Sequence, residues 1–217
     1  RSSQMPNAND NKGQLLNLLP ELLDDVLLKA GFSRSKESLV YGRIVPECKH
    51  ELHVRFDTNP SYARETILHL LPTALVRMPK VGEIAIKMGL DERLLGKNSD
   101  VVISHQIQNL APKNTYQRWL VSDSQSFLRC LAEVSDCFTR WTKPFFDEYA
   151  SPKSLVHQYE IGDDRPIRSH NFFVLIAACY LLLGQRDKAA DVLDSHLNKI
   201  GLRKIHTHAF QTVAEWK

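Results

Sequence analysis

The sequence predicts an α+β protein: a small antiparallel sheet packed by helices, with a helical hairpin near the C-terminus. Three observations carry that prediction. Residues 38–57 and 100–110 alternate apolar and polar side chains at the period of a half-buried strand. From about residue 122 onward, apolar residues instead recur every three or four positions, the period of a helix. Finally, Phe173, Ala177, Tyr180, Gly184, Ala189 and Leu193 follow the spacing of a tetratricopeptide-like hairpin, with small residues where two helices approach. No second copy recurs at a fixed period, so a solenoid is not expected. The expected organisation is a polar, poorly ordered tail over 1–12, reading from a natural start at Met5, and one domain over 13–217.

The first helix rests on Leu15, Leu18, Leu19, Leu22, Leu23, Val26 and Leu27. Pro20 lacks the N–H that would reach Leu16, so the helix starts or kinks there, and Gly31 stops it. Leu39–Ile44 and Leu52–Asp57 then read as an antiparallel pair joined through Pro46–Lys49. Between 61 and 97 the pattern is weakest. Tyr62, Thr66, Ile67 and Leu70 fit a helix, interrupted by Pro72 and Pro79, while 84–95 fits either a strand or a helix. Val101, Ile103, His105 and Ile107 alternate as a third strand.

Ser122 and Gln125 have capping-box spacing. After them Phe127, Leu131, Val134, Phe138, Trp141 and Phe145 form one apolar stripe, with Pro144 kinking its last turn. Ser151 and Pro152 suit an N-cap and first-turn proline for a helix to about Glu160. Gly162, Asp163, Asp164 and Pro166 form an exposed loop. After the hairpin, Phe210, Val213 and Trp216 suggest a last short amphipathic helix.

Composition narrows the function. The 217 residues are 43% apolar and 24% charged, ordinary globular values that exclude a disordered chain. Charges balance to +3, with 14 basic and 13 acidic residues up to position 110 and 14 and 12 after it. A polyanion binder is disfavoured, so nucleic acid and an anionic membrane are not expected partners. The longest apolar run, Phe172–Leu183, is a buried helix and not a span. No secretory leader is visible. Cys48, Cys130, Cys137 and Cys179 contain no C-x-x-C pair and read as free core thiols of a reducing cytoplasm.

No chemistry-bearing pattern stands out. Cys48, His50 and His53 lie close together, and His206 and His208 form H-x-H, but neither set finds a third ligand of suitable spacing. There is no G-x-S-x-G, no G-x-G-x-x-G and no G-x-x-x-x-G-K-[ST]. The acid pairs Asp24–Asp25, Asp147–Glu148 and Asp163–Asp164 read as solvated faces. Short basic clusters occur at Arg165, Arg168 and His170 and again at Arg203, Lys204, His206 and His208. No catalytic residue, metal or cofactor is expected.

The order of elements, with Lys29-Ala30-Gly31-Phe32 ending the first helix and a strand leading into Trp119, resembles a bacterial family of unknown function. Lys143-Pro144-Phe145-Phe146, Ser151-Pro152-Lys153-Ser154-Leu155 and Leu183-Gly184 carry the same likeness, and residues 61–97 depart from it. Members of that family are often found among immunity genes of polymorphic toxin systems. The resemblance implies a cytoplasmic protein that binds and neutralises a cognate toxin domain. Asp163 and Asp164, adjacent acids in a Gly- and Pro-bounded loop, are the expected toxin contacts. An enzyme with its site in a sheet–helix cleft and a helical-hairpin adaptor are the alternatives.

Overall fold

A computed structural model describes residues 8–217. Helices α1 (Ala8–Leu19) and α2 (Asp25–Lys29) are joined by a π-helical segment, Pro20–Asp24, that opens on the proline. The wider turn accommodates a residue that cannot donate to the carbonyl four positions back. Five strands follow: β1 (Val40–Val45), β2 (Cys48–His53), β3 (Phe56–Thr58), β4 (Leu68–Leu70) and β5 (Thr73–Arg77). Next come α3 (Pro79–Lys87), α4 (Glu92–Leu95), β6 (Val101–Gln106) and β7 (Leu120–Val121). The remaining chain is helical. It comprises α5 (Ser124–Cys137), a π segment Phe138–Thr142, α6 (Lys143–Glu148), α7 (Pro152–Glu160), α8 (His170–Leu182), α9 (Arg186–His196), α10 (Leu202–Ile205) and α11 (Thr207–Glu215).

The strands form two antiparallel sheets, ordered β1-β2-β5-β6 and β3-β4-β7. In the smaller sheet Phe56 stands opposite Leu70, and Leu68 stands between Thr58 and Val121. The α+β class and the hairpin expected from sequence are both present. The chain divides into two compact units that interleave in sequence. The first takes the chain up to Arg43, Glu51–Ala74 and His105–Phe145; the second takes Ile44–His50, Leu75–Ser104 and Phe146–Lys217.

In the first unit Leu15, Leu19, Leu23 and Leu27 are fully buried. Helix α5 buries Phe127, Leu131 and Val134 and packs on the Pro20–Asp24 segment and β7. Phe138 meets Phe32 edge-on with ring centres 5.5 Å apart. Of the expected six-residue stripe, only Trp141 is not fully buried. The kink attributed to Pro144 takes the form of the π segment that ends two residues before it.

The second unit is organised around α8. Ten consecutive residues, Phe172–Leu181, are buried, because α3, α7 and α9 all pack on this helix. That explains a helix with no polar face. No described helix is long and apolar enough to cross a membrane. Gly184 ends α8 at φ +73°, where the N–H of Gln185 reaches the Tyr180 carbonyl at 2.8 Å. Gly82 has a different role: a Cβ there would sit 2.8 Å from the Asp100 backbone.

Several expectations are corrected. The cap of α5 is Asp123, one residue later than expected; its carboxylate accepts the Ser126 N–H at 2.7 Å while Ser126 Oγ accepts the Asp123 N–H at 3.0 Å. Carboxylate and serine replace the S-x-x-Q pair in the same reciprocal box. Residues 61–70 form a turn and β4 rather than a helix, and Pro79 starts α3 instead of interrupting it. Within the expected tail, Ala8–Lys12 are helical and Asn11 is buried, donating to Thr58 Oγ1 at 3.2 Å. Residues 1–7 lie outside the described residues.

Gly82→Ala is expected to cost about 1–3 kcal/mol, since the backbone of Asp100 has to move. Gly13→Ala, with open space around it in α1, is expected to stabilise by about 0.5–1 kcal/mol. Urea melts of the two variants distinguish these opposite signs.

Candidate functional site

The loop that connects α7 to α8 is where the expected contact residues fall, and its two aspartates have different roles. The Asp163 side chain is only 8% exposed. Its carboxylate accepts the Tyr149 hydroxyl at 2.6 Å, the Arg165 backbone N–H at 3.1 Å and the Arg165 guanidinium at 2.7–3.1 Å. Arg165 also donates to Glu148, and Arg168 donates to the Asp163 carbonyl at 3.0 Å. Burial works against the Asp163 charge, but the hydrogen bonds from Arg165 and Tyr149 outweigh it and hold the carboxyl below its ordinary range. Burial, reinforced by Asp163, pushes the Tyr149 hydroxyl up, so it remains a donor.

Tyr149 is held at its other end too. Its carbonyl accepts a hydrogen bond from His50 Nε2 at 2.9 Å, which places the imidazole proton on Nε2. His50 is fully buried and stacks on Phe146 at 4.8 Å. Cys48 Sγ lies 3.4 Å from the same nitrogen. The Cys48–His50 neighbourhood noted in the sequence is thus a buried anchor for Tyr149, and His53 pairs separately with Glu51 at 3.2 Å. Among the described residues, no group of three His, Cys, Asp or Glu side chains gathers to hold a metal.

While Asp163 is locked inward, Asp164 faces solvent. So do two large apolar side chains of the same loop, Ile161 at 63% and Ile167 at 69% exposure. Backbone bonds fix the loop's start: the N–H groups of Gly162 and Asp163 reach the carbonyls of Tyr159 and Gln158 at 3.1 and 3.0 Å. Ile167 also borders a cavity of about 350 Å³, lined besides by Pro166, Phe172, Leu90, Val102 and Ser104. The sequence reading identified the loop but not the isoleucines, which are separated by five residues and carry no periodic signal.

A second polar cluster lies in the first unit. Tyr62 Oη sits 2.5 Å from His69 Nδ1 and 3.2 Å from Asp57, which stands opposite His69 across β3 and β4. Burial keeps His69 below its ordinary value, while partial desolvation and the neighbouring Asp57 carboxylate hold the exposed Tyr62 hydroxyl above its own. Tyr62 therefore stays a phenol, and the cluster ties the Asn59–Ile67 turn to the sheet rather than presenting a nucleophile. The thiols are equally quiet: all four cysteines are free and buried, and burial pushes Cys137 and Cys179 up to about 12.

No family model matches the chain, and no curated protein or solved structure matches it.

Asp163→Ala removes the acceptor that Tyr149 and Arg165 share and is expected to cost about 2–3 kcal/mol, against less than about 0.5 kcal/mol for Asp164→Ala. Chemical denaturation of the pair measures the difference. A pH titration provides a second check. Burial lowers His69, His196 and His206 below 6.5 in the fold. Their contribution is complete above the unfolded value and is lost as pH falls through the folded ones. Thermal melts should move to lower temperature as pH drops from 7 towards 5, and less so in His69→Gln.

Proposed function

We propose that this protein is an immunity-type protein that binds a cognate toxin domain in the cytoplasm and neutralises it, with the 161–168 loop at the contact. The observation that carries the reading is the pairing of a fixed scaffold with exposed anchors. The Tyr149–Asp163–Arg165–Glu148 chain holds the loop, while Ile161, Asp164 and Ile167 project from it. A partner that binds such a loop need not order it first, and that lowers the entropic cost of association. Two exposed isoleucines supply apolar area for the buried centre of an interface, and the cavity beside Ile167 gives room for a partner side chain. Asp164 adds one unpaired charge whose role is steering more than affinity.

The resemblance at Lys29–Phe32, Lys143–Phe146 and Ser151–Leu155 supports the same reading, as does the quiet chemistry of the buried thiols. Growth rescue provides the test: the chain is co-expressed with each candidate toxin domain drawn from the genes neighbouring its own. Wild type and Asp164→Ala are expected to restore growth, and Ile167→Asp, correctly folded, is expected to fail. With purified domains Asp164→Ala should associate about threefold more slowly at low salt and equally fast at high salt. Absence of rescue by wild type, or full rescue by Ile161→Asp/Ile167→Asp, would overturn the proposal.

A further inference from the structure

The small net charge conceals a strong segregation of charge in the second unit. Residues 165–186 contain no acid, and neither do residues 195–214. The fold brings these two stretches together. The His170 ring meets the His206 ring at 6.0 Å, and Arg168 lies 5.1 Å over the Tyr159 ring. The Tyr159 hydroxyl in turn bonds His196 Nε2 at 3.0 Å, and both Arg168 and Lys199 act electrostatically on His196.

At the tip of this face are α10 and the turn before it. Ile200 is fully exposed and Ile205 is 73% exposed, with Lys199, Arg203 and Lys204 exposed between and beside them. Among the described residues none of these three cations lies in an ion pair. The tip has a firm mount. The Thr212 hydroxyl of α11 lies between the His208 and Lys87 carbonyls at 2.7 and 3.1 Å, and Arg186 donates to the Ala214 carbonyl at 2.8 Å. Gly89, at φ +96°, admits His208 so closely that a Cβ would lie 3.1 Å from it.

We propose that this tip docks on an anionic phospholipid membrane, with Ile200 and Ile205 entering the interface and Lys199, Arg203 and Lys204 meeting the headgroup phosphates. Exposed aliphatic side chains beside cations that have no acidic partner combine the two attractions of a peripheral membrane surface: shallow apolar insertion and charge. Single-stranded nucleic acid fits less well. Its bases stack on free aromatic faces, yet Arg168 covers Tyr159, Arg203 lies 4.1 Å over Phe210, and His196 stacks on Phe173 at 3.8 Å. Fully exposed isoleucines contribute nothing to phosphate binding. The docking does not depend on the toxin-binding loop.

Co-sedimentation with phosphatidylcholine vesicles, with and without phosphatidylserine, tests the proposal on the full chain. Wild type is expected to bind only vesicles that contain phosphatidylserine and to be released by salt. Each surface cation contributes about fivefold to partitioning, so Lys199→Glu/Arg203→Glu/Lys204→Glu should lower it about a hundredfold or more. Ile200→Asp/Ile205→Asp should lower it about tenfold while binding remains salt-dependent. These residues are exposed, so thermal melts should match wild type; if one variant does not fold, the other decides. Failure of wild type to bind phosphatidylserine vesicles, wild-type binding by a folded variant, or tighter binding to a single-stranded oligonucleotide would overturn the inference.

Discussion

The exposed loop of the second unit depends on a single carboxylate taken out of water. Asp163 loses hydration on burial, and such a loss is tolerated only where the charge is paired and its lone pairs are filled. The Tyr149 hydroxyl, the Arg165 guanidinium and the Arg165 backbone N–H fill them. Each partner is itself constrained. Tyr149 is pinned through its carbonyl by buried His50, and Arg165 also reaches Glu148. The chain from His50 to Glu148 converts what would be a mobile connection between α7 and α8 into a fixed one. Preorganisation of that kind matters to a binding protein because the entropy of ordering is lost at folding and not at association.

The same unit shows why a net charge says little about a surface. Asp163 and Glu148 both pair with the single guanidinium of Arg165 within a few ångströms. Lys199, Arg203 and Lys204, some 35 residues along the chain, have no such partners. An overall +3 therefore contains a cluster of paired charges and a cluster of cations without acidic partners. Charge counted over halves of the sequence averages the two, and the three-dimensional arrangement separates them.

Periodicity was readable wherever one element had one apolar face. The first helix, the α5 stripe and the α8–α9 hairpin follow from spacing and from Gly31, Pro152 and Gly184, whereas the expected second strand, Leu52–Asp57, is displaced: β2 is Cys48–His53, and Phe56 belongs to β3 of the smaller sheet. Residues 61–77 were not readable. Strands β4 and β5 are buried on nearly every residue, so no alternation distinguishes them from a helix, and their short lengths remove the other criterion. At the loop, sequence marked the acids but could not say which faced inward. That depends on Tyr149 and Glu148, some 15 residues away, and on a histidine nearly a hundred residues earlier that fixes Tyr149. The exposed isoleucines were invisible for a related reason: an apolar residue reads as core until its neighbours are known.

The central claim is that the loop is fixed in the free protein, and amide hydrogen exchange tests it directly. The Arg165 amide donates to Asp163 Oδ1 and the Asp163 amide to the Gln158 carbonyl. Both should exchange slowly in the wild type, and Tyr149→Phe, which removes one hydroxyl from Asp163, should accelerate them selectively while α8 stays protected. Fast exchange of both amides in the wild type, or equal protection in Tyr149→Phe, would contradict the account.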